Sequence, residues 1–102
     1  MQCRIVVQMR LRRLVLDVVK GLNKPTVIEL AAEIVKVAGV ESVNITVNET
    51  DIEVMGLTVT VEGSDIDYPQ LSEGIEDIGC SIRSVDQVSA SKKDIELERK
   101  TR

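Results

Sequence analysis

Leu14-Val-Leu-Asp-Val18 and Leu57-Thr-Val-Thr-Val61 are the two stretches whose reading decides the fold. In the first, Leu14, Leu16 and Val18 alternate with Val15 and Asp17. In the second, Leu57, Val59 and Val61 alternate with Thr58 and Thr60. A period of two sends successive side chains to opposite faces, so each stretch reads as a strand with one buried face. Each is followed by the same train of signals: a loop, a capped helix, a closing glycine (Gly39, Gly79) and a further strand. The chain is a weak internal repeat of one strand–helix–strand unit.

Outward from the first stretch, the strand is predicted over Leu11 to Val18, and Val19 to Pro25 reads as a loop containing Gly21, Asn23 and Pro25. Thr26 and Glu29 form a T-x-x-E capping box, which satisfies two backbone donors that a helix start leaves unpaired. Val27, Leu30, Ala31, Ile34, Val35 and Ala38 then share one helical stripe, with Glu29, Glu33 and Lys36 opposite, and Gly39 stops the helix. Val43, Ile45 and Val47 alternate with Asn44, Thr46 and Asn48 as a second strand, and Glu49 to Met55 reads as a hairpin connection.

Around the second stretch, Gly63 to Ile66 is a loop and Asp67 caps a helix with Gln70 three residues on. Leu71, Ile75 and Ile78 line that helix's core face, and a fourth strand runs from Cys80 to about Val88. The order βαββαβ predicts an α+β, ferredoxin-like sandwich: a four-stranded antiparallel sheet with two helices on one face. The first and third strands are expected side by side and parallel at the centre, with both helix N-termini at one edge. The chain divides into an N-terminal extension (1–8), a ferredoxin-like domain (9–90) and a charged tail (91–102). The extension reads either as a further strand or as a leader to an alternative start at Met9. The tail reads as a frayed helix or disorder, or as a segment that threads into a neighbouring subunit.

A chain of 102 residues holds one domain, which hides roughly 65% of its unfolded surface. Tyr68 is the sole aromatic residue, so the core is aliphatic. The formal charge of −4 argues against nonspecific nucleic-acid binding. Between Val37 and Ile82 there is no Lys or Arg, whereas up to Lys24 six basic residues face only Asp17. Either folding brings the two regions together within one chain, or they promote head-to-tail contacts between copies. Cys3 and Cys80 lack CxxC spacing, which disfavours a disulfide scaffold or zinc site. Ile5 to Val7 is too short for a membrane span or a signal core, and a cytoplasmic location is expected.

The chain has no histidine, which removes the usual general base and every Ser-His or Cys-His nucleophile pair. It has no phosphate-binding G-x-x-x-x-G-K-[ST] and no G-x-G-x-x-G. The open sheet face offers Arg13, Asn44, Thr46, Asn48, Thr58 and Thr60 in place of the stacking aromatics that RNA recognition needs. That face reads as solvated, as a contact between copies, or as a small-ligand surface. Asn44-Ile-Thr46 and Asn48-Glu-Thr50 match the glycosylation pattern, which in a cytoplasmic protein reflects only strand-forming Thr. The expected topology gathers Asp17, Glu62, Asp65 and Asp67 at one sheet edge. Clustered carboxylates suit Ca²⁺ or Mg²⁺. The plainer alternative makes Asp67 a helix cap, Asp65 a turn residue and Glu62 a solvated strand end.

Arg12-Arg-Leu-Val-Leu-Asp-Val18, Thr26-Val-Ile-Glu-Leu-Ala31, Gly39-Val-Glu-Ser-Val-Asn-Ile-Thr46, Glu62-Gly-Ser-Asp-Ile-Asp-Tyr68 and Ser84-Val-Asp-Gln-Val-Ser-Ala90 together resemble the archaeal domain-of-unknown-function 211 family. The resemblance covers about Met9 to Ala90, leaves the charged tail outside it, and departs from the family at Gly56 and in the N-terminal extension. It implies a ferredoxin-like fold, homo-oligomeric rings, an archaeal cytoplasmic origin and no established activity. Its motif acids coincide with Asp17, Glu62, Asp65 and Asp67.

The reading that follows is a non-enzymatic oligomeric binding or regulatory module, with a divalent cation at the acidic set. No nucleic-acid or membrane partner is expected, and no small ligand is specified. The alternative is a small-molecule sensor that binds an amino-acid-type effector at subunit interfaces, near Lys20 to Lys24.

Overall fold

The structure is a computed structural model that describes residues 9–92. Its elements are β1 (Met9–Gly21), α1 (Val27–Val35), β2 (Val40–Thr50), β3 (Val54–Gly63), α2 (Tyr68–Asp77) and β4 (Ser81–Lys92). The strands form one sheet in the order β2-β3-β1-β4, and every neighbouring pair is antiparallel. This is the expected ferredoxin-like βαββαβ arrangement. The extension 1–8 lies outside the described residues, as does all of the tail except Ser91 and Lys92, which continue β4.

The central pair corrects one expectation. β1 and β3 are antiparallel, not parallel, with Leu14 opposite Val61 and Val18 opposite Leu57. The reason is topological. Each strand–helix–strand unit makes its own two strands parallel and leaves a gap between them, and the other unit fills that gap running the opposite way. The C-terminal end of β1 therefore meets the start of β3. The two helices begin at opposite ends of the sheet, not at one edge.

Both helices bury their stripes against one face. Leu30 and Ile34 of α1 and Leu71 and Ile75 of α2 join Leu14, Leu16, Val18, Leu57, Val59 and Val61 in a single aliphatic core. The α1 capping box forms as read: Thr26 Oγ1 accepts from Glu29 N at 3.1 Å, and Glu29 Oε1 accepts from Thr26 N at 2.9 Å. α1 is shorter than the stripe predicts. It closes at Lys36, leaving Val35 exposed, while Val37 of the following turn is buried instead. β1 runs through Gly21, beyond the predicted loop boundary, and β4 runs to Lys92.

Two glycines join the units at the sheet end where β3 finishes. Gly39 adopts φ +87°, and a Cβ there would lie 2.0 Å from the Asp65 carbonyl oxygen. A Cβ on Gly63 would lie 1.9 Å from the Gly39 carbonyl oxygen. The α1–β2 turn thus lies directly on the β3–α2 loop. Ser64 N donates to Gly39 O at 3.1 Å and Asp67 N to Ala38 O at 3.0 Å.

Candidate functional site

Of the four acids expected to hold a cation, the antiparallel register carries Asp17 away from Glu62, Asp65 and Asp67, which stay at the β3–α2 junction. Asp17 lies opposite Thr58, and Glu62 lies opposite Arg13. Four positions along a strand amount to roughly 13 Å. Asp17 Oδ2 accepts from Arg83 Nη2 at 3.1 Å and Nε at 3.3 Å. Glu62 is paired with Arg13 Nη1, whose Nε also donates to Gln87 Oε1 at 2.9 Å. Asp67 Oδ1 accepts from Gln70 N at 3.1 Å and caps α2. Asp65 sits in the β3–α2 loop with its backbone against Gly39. Among the described residues no group of three or more Asp, Glu, Cys or His side chains is placed to hold a metal ion. Asp67→Ala is expected to cost about 1 kcal/mol, read by thermal unfolding, with no dependence on added Ca²⁺.

The open sheet face is laced rather than vacant. Thr46 and Asn44 of β2 lie opposite Thr58 and Thr60 of β3. Asn48 Nδ2 donates to Thr58 Oγ1, and the Arg13–Glu62 and Asp17–Arg83 pairs tie β1 to its two neighbours. Folding thus neutralises part of the basic N-terminal region within the chain. Arg10 and Arg12 make no ion pair among the described residues.

At the end of this face where β1 finishes, a trough of about 320 Å³ crosses all four strands. It is lined by Val19, Gly56, Glu49, Thr50, Asp51, Val54 and Arg83. Two register shifts bracket it, one between Val47 and Glu49 on β2, the other at Arg83 on β4. Bulges re-aim side chains in this way. Gly56 keeps its floor low, since a Cβ there would crowd Glu49 Cγ at 3.2 Å. Sequence reasoning passed over this trough, although a glycine inside an alternating strand is a signal of close approach. It can present a guanidinium and two carboxylates to a small polar molecule.

Lys20, expected in a loop, belongs to β1. It is the last helix-side position of β1, only 3% exposed, and its Nζ donates to Gly21 O at 2.6 Å. Val19 lies opposite Ser81, so one step further along the ladder Lys20 neighbours Cys80. Burial pushes the Cys80 thiol up from its usual 9.0, and the Lys20 charge partly opposes this. A thiol kept protonated by folding stabilises the fold below its unfolded value and loses that contribution as pH rises through the folded one. Stability is therefore expected to fall from about pH 9 upward, in urea titrations at several pH values, with a shallower fall in Cys80→Ala.

A second concavity lies on the helix side, at the opposite end of β1. Met9, Leu11 and Leu14 of β1, Tyr68 at the start of α2, and Val85 and Val88 of β4 form a groove of about 320 Å³. Met9 is 57% exposed, Val88 53% and Val85 43%. α2 leaves this end of the ladder uncovered, because a ten-residue helix is shorter than the twelve-residue strand beside it.

Fold and surfaces together define a small α+β sandwich that displays a polar trough and an apolar groove on opposite sides of one sheet. No helix of the described residues is long and apolar enough to cross a membrane. The chain belongs to the archaeal domain-of-unknown-function 211 family, described as uncharacterized ArCR, whose profile matches residues 12–102. It is also 40% identical over 86 residues to the uncharacterized protein MJ0319 of Methanocaldococcus jannaschii, covering 84% of this chain and 88% of that protein. The family match extends through residue 102, so it takes in the charged segment after Ala90 that the sequence resemblance had left outside.

Proposed function

We propose that the chain is a non-enzymatic, cytoplasmic binding module that works as a ring-like homo-oligomer. The observation that carries this reading is the apolar groove of Met9, Leu11, Leu14, Tyr68, Val85 and Val88. Leaving three large aliphatic side chains about half exposed in one patch forgoes burial worth about 25 cal/mol per Å². Contiguous patches of this kind mark contact surfaces. A groove filled by a different surface of the next copy makes a heterologous contact, which gives a ring where the rotation between copies closes. The four acids do not enter this proposal as a cation site, since three of them already hold an arginine or a helix end.

Size-exclusion chromatography with light scattering tests it. A mass several times 11.3 kDa is expected and should persist on dilution. A mass of 11.3 kDa at every concentration would contradict it.

The trough favours a second reading, a sensor for an amino-acid-type effector. Arg83 offers guanidinium donors to a carboxylate, and Glu49 and Asp51 offer acceptors to an ammonium group. A thermal-shift panel of amino acids tests it. Stabilisation by one of them, lost in Arg83→Met, is expected, and no response to any of them contradicts it.

A further inference from the structure

We infer that the occupant of the apolar groove is the segment Asp94-Ile-Glu-Leu-Glu98 of a second copy of the chain. This inference rests on the assembly reading above and names the contact through which copies join. Four observations carry it.

The first is position. Lys92, the last described residue of β4, lies opposite Met9, which itself lines the groove. Ten further residues follow it, a reach of roughly 30 Å when extended. The second is pattern. Ile95 and Leu97 alternate with Asp94, Glu96 and Glu98, so an extended segment would carry one apolar face, the complement of a groove whose lining among the described residues is apolar.

The third is charge. The segment's three acids would approach the β1 end that holds Arg10 and Arg12, neither of which is ion-paired among the described residues. The fourth is family membership. The family profile runs to residue 102 and so counts this segment as part of the shared domain.

Direction selects a second copy over the chain's own groove. β4 passes Val85 and Val88 and reaches the rim of the groove at Lys92, opposite Met9, so at the last described residue it is heading away from the body of the groove. A return would need a tight reversal at once, and residues 93–102 contain no glycine, the residue such two-residue reversals favour. A groove in one copy filled by the next copy's segment is a head-to-tail contact.

Two experiments on the full chain test this. The first substitutes Ile95→Asp and Leu97→Asp together. The native assembly is expected to fall to the mass of one chain while circular dichroism stays unchanged. An assembly that keeps its mass overturns the segment as occupant and leaves the assembly reading standing. A native chain that is already monomeric overturns both.

The second works in a Cys3→Ser, Cys80→Ala background and mixes a Val88→Cys chain with a Leu97→Cys chain under oxidation. A disulfide between the two different chains is expected. If the mixture forms none, while a chain carrying both substitutions cross-links within itself at the mass of one chain, the segment fills its own groove and the inference is wrong.

Discussion

Replacing Gly39 with alanine is expected to lower the melting temperature by about 8 to 40 °C. The added Cβ has two costs. The left-handed φ of +87° disfavours any L side chain by about 1–2 kcal/mol. The new atom would also sit 2.0 Å from the Asp65 carbonyl oxygen, and backbone cannot rotate away as a side chain can. Overpacking of that kind costs about 1–3 kcal/mol. The sum is about 2–5 kcal/mol, and a domain of this size loses about 4–8 °C per kcal/mol. Gly79 also has positive φ (+104°) but nothing within 4 Å, so Gly79→Ala should show the backbone cost alone. Gly21 has neither feature, and Gly21→Ala should be close to neutral. Thermal scans of the three variants check the ranking. If Gly39→Ala melts no lower than Gly79→Ala, the close contact between the two corners is not there.

Leu16→Ala carries the second large effect. Leu16 is wholly buried and lies between Val59 of β3 and Val85 of β4, under both helices. Its neighbours Val59, Leu14 and Val18 are themselves fully buried in the sheet, so the cavity should relax little. A loss of about 3–5 kcal/mol is expected from urea unfolding. Val88→Ala removes an aliphatic group that is 53% exposed in the single chain and should leave chain stability within about 0.5 kcal/mol. A Leu16→Ala loss below 1 kcal/mol would mean that β1 is not central.

Element identity was legible in the sequence because the alternation in Leu14 to Val18 and Leu57 to Val61, the Thr26 box and the Asp67 cap are local signals. Strand direction is not local. Whether β1 and β3 run together or oppositely depends on how the two units interleave, and the parallel expectation carried the candidate cation site with it. Asp17 lies on the mixed face of its strand as read, but its neighbour there is Arg83, 66 residues away and re-aimed by a bulge that no alternation pattern announces. The hairpin between β2 and β3 proved tighter than Glu49 to Met55, since both strands persist to Thr50 and from Val54. Gly63 looked like a loop residue. Its closeness to Gly39 is a long-range contact, invisible until the corners meet.

Val88→Asp is the variant that tests the assembly claim most directly, with the mass measured by light scattering. Val88 lies opposite Leu14 at the groove, exposed enough for a carboxylate to stay hydrated in the single chain but not beneath an incoming apolar segment. The expected result is a folded protein of one chain's mass where the native protein is several times heavier. A variant that keeps the native mass would show that the groove does not join the copies.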